Sequence, residues 1–507
     1  MARRRSLPRL ALAVPVVLSL TASLGFLPAS ASATPRIPSA ARAGDAPALA
    51  YVVNTGTDRH TIAQVRRAVT AAGGSIVVTY DAIGVIVAHS ADPDFGKRMR
   101  AVRGVESAGA TRTAALSTVG TTEEGAVRRL SEAEAARIAK ASDGGEPLEA
   151  EQWDLRAIGA DRAAKVNPGS GDVTVAVIDT GVDDTHPDLA ANFSPAQSAN
   201  CAGGKADTTY GSWRPADPDY FHGTHVAGTI AAARNGVGVA GVAPGVKVSG
   251  ITVSQPTGRQ LIYAESVVCA FVFAADHGVQ ITNNSYYVDP WQYNCLDDPD
   301  QKAIVDAVDR AQRYAQRKGT LNVAGAGNAR HDLASAGFTD AGSPNDSTPV
   351  NRTVDPHRCW DLPAQLPGVV TVSATGAKGA KAYYSNYGLG VIDVAAPGGD
   401  QYVASDTPSG SGGVLSTLPN NQYGYEQGTS MATPHVAGVA ALLKSAHPQA
   451  TPAQLRALLR AQADNPGCPA DPYDWNGDGV VDAVCAGGGR VNGFYGFGVV
   501  DALRAVG

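Results

Sequence analysis

The sequence predicts an α/β protein: a parallel-sheet domain flanked by helices, preceded by a small α+β unit. After residue 152, short apolar strands such as VTVAVI, VKVSGI and VVTVSA alternate with alanine-rich helical stretches. This pattern is typical of a parallel sheet covered on both faces. Residues 48–115 form a separate, shorter alternation of strands and helices.

Length and charge limit the possible functions. The 507 residues, 44% of them hydrophobic, leave room for two or three domains. The formal net charge is −6, and no basic block stands out beyond the extreme N-terminus. We therefore expect no nucleic-acid partner.

The N-terminus has the three parts of a secretory signal peptide. Three consecutive arginines precede an apolar run, and small residues, PASASA, follow it. We expect cleavage after Ala31 or Ala33, so that residues 1–33 are removed. A membrane anchor is the alternative, which Pro15 and the Ala-Ser exit disfavour. No other stretch reaches about 18 apolar residues, so we predict a secreted, extracellular protein with no membrane contact after signal removal.

Residues 34–117 contain the predicted small domain. ALAYVVN reads as a strand and RHTIAQVRRAVTAAG as a helix, and SIVVTYDAIGVIVAH reads as two strands joined by a turn at residues 82–84. DPDFGKRMRAVRG and VESAGA then read as a second helix and a last strand. The order β-α-β-β-α-β is the ferredoxin-like plan.

Residues 118–150 are charged and alanine-rich, without an apolar face wide enough for a core. They predict an exposed linker, helical in part. The large domain is assigned to residues 151–507.

Six cysteines, all beyond residue 200, indicate up to three disulfides in an exported protein. Fifteen pairings are possible. Only Cys468–Cys485, which flank a Gly- and Asp-rich loop, can be predicted as a pair.

The triplet Asp179-Thr180-Gly181 ends the strand VTVAVI and has two meanings in proteases. A two-aspartate site needs a second such triplet, in this chain or in a small homodimer. The chain has no second one and is too long to be half of a dimeric site. A serine system needs a histidine and a serine, which FHGTHVAGTI (His222) and GTSMATPHVAGVAALL (Ser430) supply.

These three segments, in the order Asp, His, Ser, resemble the subtilisin-like serine peptidases, the subtilases. The order differs from those of the chymotrypsin type and of the α/β-hydrolases. The resemblance covers about residues 150–507. It implies a subtilisin-like fold and a monomeric serine endopeptidase that hydrolyses polypeptide substrates.

The catalytic roles follow from chemistry. A serine hydroxyl needs a base near neutral pH, and we expect His222 to be that base, with Asp179 fixing its tautomer. An apolar-faced run with Pro434 near its start follows Ser430, which predicts a serine at a helix N-terminus, where negative charge is favoured. LNVAGAGNAR places Asn328 where subtilases carry their oxyanion asparagine. The alternative for Asn328 is a turn asparagine in a Gly-rich bend.

The other histidines of these motifs have a structural interpretation. His222-x-x-His225 lacks the His-Glu-x-x-His helix of zinc peptidases, so we do not expect a catalytic metal. We expect both His225 and His435 to be satisfied inside the fold.

The resemblance also implies two segments that bind an extended substrate between them. The matching residues are Gly325, Ala326 and Gly327, and Ser285, Tyr286 and Tyr287. The second segment departs from the usual Ser-Leu-Gly. Tyr287 in place of glycine should narrow or reshape the first specificity pocket.

Calcium is suggested at two places. The segment ending RNGVGVAGVAP follows the pattern of calcium-binding relatives, with a plain Gly-rich turn as the alternative. The matching ligands are Gln152, Asp188, Asn235 and the carbonyls of Ala233, Val237 and Val239. In DWNGDGVVD, acidic and amide residues alternate as in an EF-hand loop, with Gly479 at the turn. These residues are Asp474, Asn476, Asp478 and Asp482. The twelfth position is Cys485 rather than glutamate, so a disulfide-closed acidic loop is the alternative.

The family often carries a ferredoxin-like prodomain that assists folding and inhibits the enzyme until it is cut away. The resemblance implies this role for residues 34–117, with precursor processing in residues 118–150. An independent accessory domain is the alternative. Two rival functions stay open: an inactive binding protein with this fold, and a processing protease dedicated to one peptide.

Overall fold

The computed structural model describes residues 48–114, 126–141, 145–256 and 260–507. The predicted signal peptide lies outside these ranges. Within them, no helix combines the length and apolarity needed to cross a membrane.

The N-terminal unit is a four-stranded antiparallel sheet, in the order β2-β3-β1-β4, with two helices on one face. Its elements are β1 (Leu49–Thr55), α1 (Arg59–Ala71), β2 (Ser75–Tyr80), β3 (Val85–Ser90), α2 (Phe95–Arg100) and β4 (Val105–Ala110). Helix α1 starts where the Asp58 side chain accepts the Thr61 N–H at 2.9 Å. Val65 of α1 and Phe95 of α2 are buried against the sheet.

The next described segment is partly packed against the large domain. It contains β5 (Arg128–Arg129) and α3 (Glu132–Ala141), and β5 pairs antiparallel with the strand Gln422–Glu426. Ile138 is buried in an apolar cluster with Leu148 and Tyr425. Most of the described side chains of this segment are exposed, and Ile138, with the partly buried Leu130 and Ala135, packs it against the large domain.

The large domain is built on a seven-stranded parallel sheet in the order β16-β15-β11-β9-β6-β8-β7. The strands of the domain are β6 (Thr174–Asp179), β7 (Ala199–Asn200), β8 (Lys247–Thr252), β9 (Ile281–Asn284), β10 (Asn294–Cys295), β11 (Leu321–Gly325), β12 (Phe338–Asp340), β13 (Arg352–Val354), β14 (Cys359–Trp360), β15 (Val370–Thr375), β16 (Val394–Pro397), β17 (Val414–Leu418) and β18 (Gln422–Glu426). The helices are α4 (Trp153–Ala157), α5 (Ala160–Val166), α6 (Pro187–Ala190), α7 (His222–Ala231), α8 (Ala264–Asp276), α9 (Pro299–Lys318), α10 (Thr429–Ala446), α11 (Pro452–Gln462) and α12 (Ala502–Val506).

Both faces of this sheet are covered, as the apolar strands predict. Val175 and Val177 of β6 pack in the core that contains α7 and α10. Ala176 and Ile178 pack in the core that contains α8 and α9. The alternation arises because successive strand residues point to opposite faces. The predicted fold class is confirmed.

The second face of the N-terminal sheet lies against α8 and α9. Val52 and Val85 share the apolar core of these helices. Asn54 Nδ2 donates to the Ala303 carbonyl at 2.9 Å, and Ser107 Oγ donates to Asp306 Oδ2 at 2.6 Å. The unit thus makes both apolar and directional contacts with the large domain.

The six cysteines form three disulfides. The predicted pair Cys468–Cys485 is confirmed. The other two, Cys201–Cys269 and Cys295–Cys359, join residues more than 60 positions apart, so no local pattern could pair them.

Candidate active site

Three neighbouring strands bring predicted site residues to one edge of the sheet. Strand β6 ends at Asp179, β9 is followed directly by Ser285, and β11 is followed by the segment that reaches Asn328. Because the strands are parallel, their carboxyl ends lie at the same edge. Helix α7 begins there with His222, and α10 begins with Thr429 and Ser430.

Asp179 and His222 form a buried pair. Nδ1 of His222 lies 2.8 Å from Asp179 Oδ1, and both side chains are at most 4% exposed. Asp179 Oδ1 also accepts the Thr180 N–H at 2.7 Å. A carboxylate only accepts hydrogen bonds, so Nδ1 carries the hydrogen and donates this bond, and Nε2 is the basic nitrogen of the ring.

Ser430 is the second residue of α10 and is 7% exposed. Its hydroxyl donates to the Ser285 carbonyl at 3.2 Å, and Ser285 Oγ donates in return to the Ser430 carbonyl at 2.9 Å. The preceding Gly428 has φ +149°, a conformation that other residues rarely adopt. The serine thus stands at a helix N-terminus, next to one of the two predicted substrate-binding segments.

Asn328 is fixed through its oxygen. Its Oδ1 accepts both the N–H and the hydroxyl of Thr429, at 2.9 and 2.8 Å. A Cβ on Gly428 would lie 3.4 Å from Asn328 Nδ2. This network assigns Nδ2 as a donor that lies beside the residues leading into Ser430.

The other two histidines are held in the interior. His225 Nε2 lies 3.1 Å from two carbonyl oxygens, of Val414 and Gly424. Burial first, and the neighbouring His222 second, lower the pKa of His225 to about 3. His435 Nε2 pairs with Asp154 Oδ2 at 3.0 Å. These contacts support the structural interpretation of both residues.

The two predicted substrate-binding segments follow adjacent strands, β9 and β11. Tyr286 is buried and its hydroxyl donates to Asn284 Oδ1 at 2.9 Å. The Tyr287 hydroxyl accepts from Asn345 Nδ2 at 2.9 Å. Each tyrosine of the unusual segment therefore has a specific polar partner.

The glycines of the other segment are needed for close packing. A Cβ on Gly325 would lie 3.1 Å from the Thr429 and Thr433 hydroxyls. Gly327 has φ +93°, and a Cβ there would lie 2.6 Å from Asn386 Nδ2. Asn386 Nδ2 also donates to the Ala326 carbonyl at 2.8 Å.

Sequence reasoning missed the supporting residues of the site. Thr429 precedes the serine in a quoted motif, but nothing in that motif indicates that it holds Asn328. Asn386 and Asn345 lie in loops without a recognisable pattern. Their roles depend on contacts between distant segments.

The first predicted calcium site centres on Asp188. Asp188 Oδ2 accepts the Val239 N–H at 3.0 Å, and its buried Oδ1 has no hydrogen-bond partner among the described residues. Burial raises the pKa of Asp188 to about 6. A buried carboxylate oxygen without a donor fits a cation ligand. Asn235 belongs to the same loop, where its Oδ1 accepts the Val237 N–H at 3.0 Å.

Gln152 has another partner in this structure. Its Nε2 donates to the Ala240 carbonyl at 2.8 Å, and its Oε1 accepts the Ala240 N–H at 2.9 Å. Both amide atoms are thus bound to backbone. Ala233 is joined to the carboxylate loop by donating its N–H to the Asp188 carbonyl at 2.8 Å. The described ranges hold no cluster of three or more His, Cys, Asp or Glu side chains suited to a metal, so a cation here would depend on backbone and amide oxygens.

The second predicted site is a tight acidic turn. Asp474 accepts the backbone N–H groups of Gly477 at 2.7 Å and Gly479 at 2.8 Å, and these bonds lower its pKa. Asp478 Oδ2 accepts from Asn476 Nδ2 at 3.0 Å. Asp482 Oδ2 accepts the Trp475 N–H at 3.0 Å. The residues converge in one exposed loop, as the spacing predicts, and their oxygens bind mainly backbone donors.

Comparisons with known proteins show the family of the chain. A model of the subtilase family matches residues 170–498. Fervidolysin of Fervidobacterium pennivorans is 34% identical over 355 residues, which cover 67% of this chain and 43% of fervidolysin. Subtilisin BL of Lederbergia lenta is 33% identical over 322 residues, covering 63% of this chain and 91% of that protein.

Solved structures share the fold. The epidermin leader peptide processing serine protease of Staphylococcus aureus has a TM-score of 0.63 at 23% identity, covering 90% of this chain and 98% of that one. Fervidolysin, described as a keratinolytic enzyme related to subtilisin, has a TM-score of 0.58 at 25% identity, with coverages of 92% and 62%. The family model and the 34% identical relative show that the chain belongs to the subtilase family of serine peptidases.

Proposed function

We propose that the chain is a secreted serine endopeptidase that hydrolyses peptide bonds through an acyl-enzyme and is made as a self-processing precursor. The observation that carries this proposal is the 2.8 Å pair between His222 Nδ1 and Asp179 Oδ1 at the edge where Ser430 and Asn328 also lie. An inactive relative used only for binding would have no need to keep all four groups.

Each of the four site residues has its own role in the proposed reaction. Ser430 Oγ leaves its bond to the Ser285 carbonyl, attacks the substrate carbonyl and gives its proton to His222 Nε2. Asp179 stabilises the resulting imidazolium, which then protonates the leaving amine. Asn328 Nδ2, together with the positive end of α10, stabilises the oxyanion. A water molecule then attacks the acyl-enzyme and gives its proton to His222, which returns the proton to Ser430 Oγ as the acid product leaves.

The N-terminal unit is proposed to act as the inhibitor of the same chain. The last described residues of this unit follow β4 and bind side chains of the large domain. Arg112 pairs with the buried carboxylate of Glu265, and its guanidinium lies 4.0 Å from the centre of the Tyr263 ring. Thr113 N–H donates to Asp346 Oδ2 at 2.8 Å. These contacts would hold the segment in place until it is cut.

Structural calcium is proposed at the Asp188 loop and at the loop closed by Cys468–Cys485. The unpartnered Asp188 oxygen supports the first site, with Asn235 and the backbone carbonyls of residues 233, 237 and 239 as further ligands. The second would use the convergent Asp474, Asp478 and Asp482 side chains. A cation at either loop would stabilise the exported enzyme by binding only the folded state.

A narrower candidate is a processing protease dedicated to one peptide. The Tyr286-Tyr287 segment favours it, because two bonded tyrosines leave less room than the usual Ser-Leu-Gly. Cleavage of a peptide library distinguishes the two: a processing enzyme cuts few sequences, and a broad endopeptidase cuts many.

The precursor itself tests the main proposal. We expect the wild-type precursor to release a smaller mature fragment on purification, and a Ser430→Ala precursor to stay full length. Mixing the two separates cutting within one molecule from cutting between molecules. If the wild type stays full length and also fails to cleave any peptide of the library, the proposal is wrong.

A further inference from the structure

Asp361 is a buried carboxylate without a partner. It is 1% exposed, and neither carboxylate oxygen has a hydrogen bond or an ion pair among the described residues. Asp393, by contrast, is equally buried and pairs with two cations, Arg456 and Arg460. An isolated buried charge is costly, and burial accordingly raises the pKa of Asp361 well above its ordinary value. Such a group indicates a missing cationic partner.

Asp361 lies between the two substrate-binding segments. Its Oδ2 would be 3.1 Å from a Cβ placed on Gly327, the residue just before Asn328. From the other side, its charge contributes to the raised pKa of Tyr287. The Leu362 carbonyl accepts the Val288 N–H at 3.0 Å, which ties the Asp361 segment to the residues that follow Tyr287.

At this position, the Asp361 carboxylate would face the side chain of the substrate residue whose carbonyl reacts. The reacting carbonyl must lie near Ser430 and Asn328, so the side chain of the same substrate residue starts within a few ångströms of Gly327. Gly327 itself has no side chain that could stand between the substrate side chain and Asp361. The phenols of Tyr287 and Tyr293 are near enough to Asp361 for its charge to help raise their pKa values.

We propose that Asp361 forms the base of the pocket for the residue on the acyl side of the cleaved bond, and that it selects a cationic side chain, arginine or lysine. The inference rests on the proposed peptidase function and adds its substrate class. The substrate cation would provide the partner that the chain itself does not. Binding of an apolar substrate side chain would be disfavoured, because the carboxylate at the base of the dry pocket would then stay unpaired.

Four peptides that differ only at the residue before the cut test this inference: arginine, lysine, leucine and citrulline, which resembles arginine but is uncharged. For the wild type, kcat/KM with arginine should exceed kcat/KM with leucine or citrulline by on the order of 10²-fold. Asp361→Asn keeps the shape and removes the charge, so this ratio should fall to within about tenfold of one. Asp355→Asn, at a carboxylate whose side chain accepts from His357 N–H nearby, is the matched control and should keep the wild-type ratio.

The wild-type comparison of arginine with citrulline needs no variant, so the inference can fail even if Asp361→Asn does not fold. Equal rates for the two peptides, or a preference for leucine, would overturn the inference and leave the peptidase function intact. An unchanged arginine preference in folded Asp361→Asn would overturn the role of this residue. If no peptide is cut at all, the proposed function fails and the inference fails with it.

Discussion

The two ends of the Asn328 side chain have different roles: the amide oxygen is bound by the protein, and the amide nitrogen is available to the reaction. Thr429 binds the amide oxygen with two donors, which leaves the nitrogen oriented towards the serine end of α10. We expect Asn328→Ala to lower kcat by about 10²–10³-fold, the range known for subtilisin, with a small change in KM. Steady-state kinetics on a peptide substrate measures both constants.

Asn328→Asp is the control for this prediction. It keeps the size of the side chain but replaces the donor nitrogen with an oxygen, so its kcat should fall at least as far. If either variant retains more than about a tenth of the wild-type kcat, the oxyanion role is wrong.

His225 should make the folded state sensitive to acid. The pKa of His225 is about 3 in the folded protein because the ring is buried, against about 6.5 in an unfolded chain. Between these values the unfolded state binds one more proton, so stability is highest above pH 6.5 and falls as pH decreases. His225 alone should change the free energy of unfolding by about 1.4 kcal/mol per pH unit in this range.

Urea unfolding at several pH values checks this slope, and a Ser430→Ala background avoids self-digestion. In His225→Gln, the pH dependence of the free energy of unfolding should fall by the equivalent of about one bound proton. That variant should also be less stable at every pH. An unchanged slope would show that His225 titrates normally in the folded state.

At the residue scale, the sequence predicted the groups that carry chemistry, because each lies in a distinctive short segment. Asp179, His222 and Ser430 could be assigned from their order and surroundings. Asp361 could not be, because a single aspartate before Leu-Pro has no distinctive pattern. Its isolation becomes visible only when segments from β11, β9 and the loop before β15 come together.

At the element scale, periodicity predicted the parallel strands well, because strands buried on both faces appear as continuous apolar runs. The order of strands in the sheet could not be read from the runs themselves. The short strand β5 was missed because its two residues, Arg128 and Arg129, have no apolar pattern; they contact β18 through backbone pairing and through both guanidinium groups.

The Asp188 loop supports a prediction on calcium. The pKa of Asp188 is about 6 when the protein is folded and about 3.8 when it is unfolded. Without metal, ionisation of Asp188 therefore destabilises the folded protein. The stability that is present at low pH is lost as pH rises through 6. Calcium should reverse that loss by replacing the proton. We therefore expect calcium to raise the Tm of the Ser430→Ala protein more at pH 7.5 than at pH 5.

Two variants locate the ion. Asp188→Asn should abolish most of the calcium-dependent rise in Tm if the Asp188 loop binds it, and Asp474→Asn should abolish it if the acidic loop does. A rise in Tm that persists in both variants would contradict both sites.

At the scale of the whole molecule, the structure contains the N-terminal unit together with the domain it is proposed to inhibit. The sheet covers α8 and α9, and Arg112, just after its last strand, contacts Tyr263 and Glu265. The sequence predicted the order of elements in this unit. It could not predict which face packs on the large domain, because both faces of the sheet carry apolar residues.

Asp179, His222 and Ser430 are proposed to act together on a carbonyl. This can be tested by labelling the mature protein with an active-serine phosphonylating reagent, followed by mass spectrometry of its peptides. We expect a single adduct, on Ser430, formed at least about 10³-fold more slowly in His222→Ala and absent in Ser430→Ala. An adduct on another residue, or equal labelling rates in the wild type and in folded His222→Ala, would contradict it.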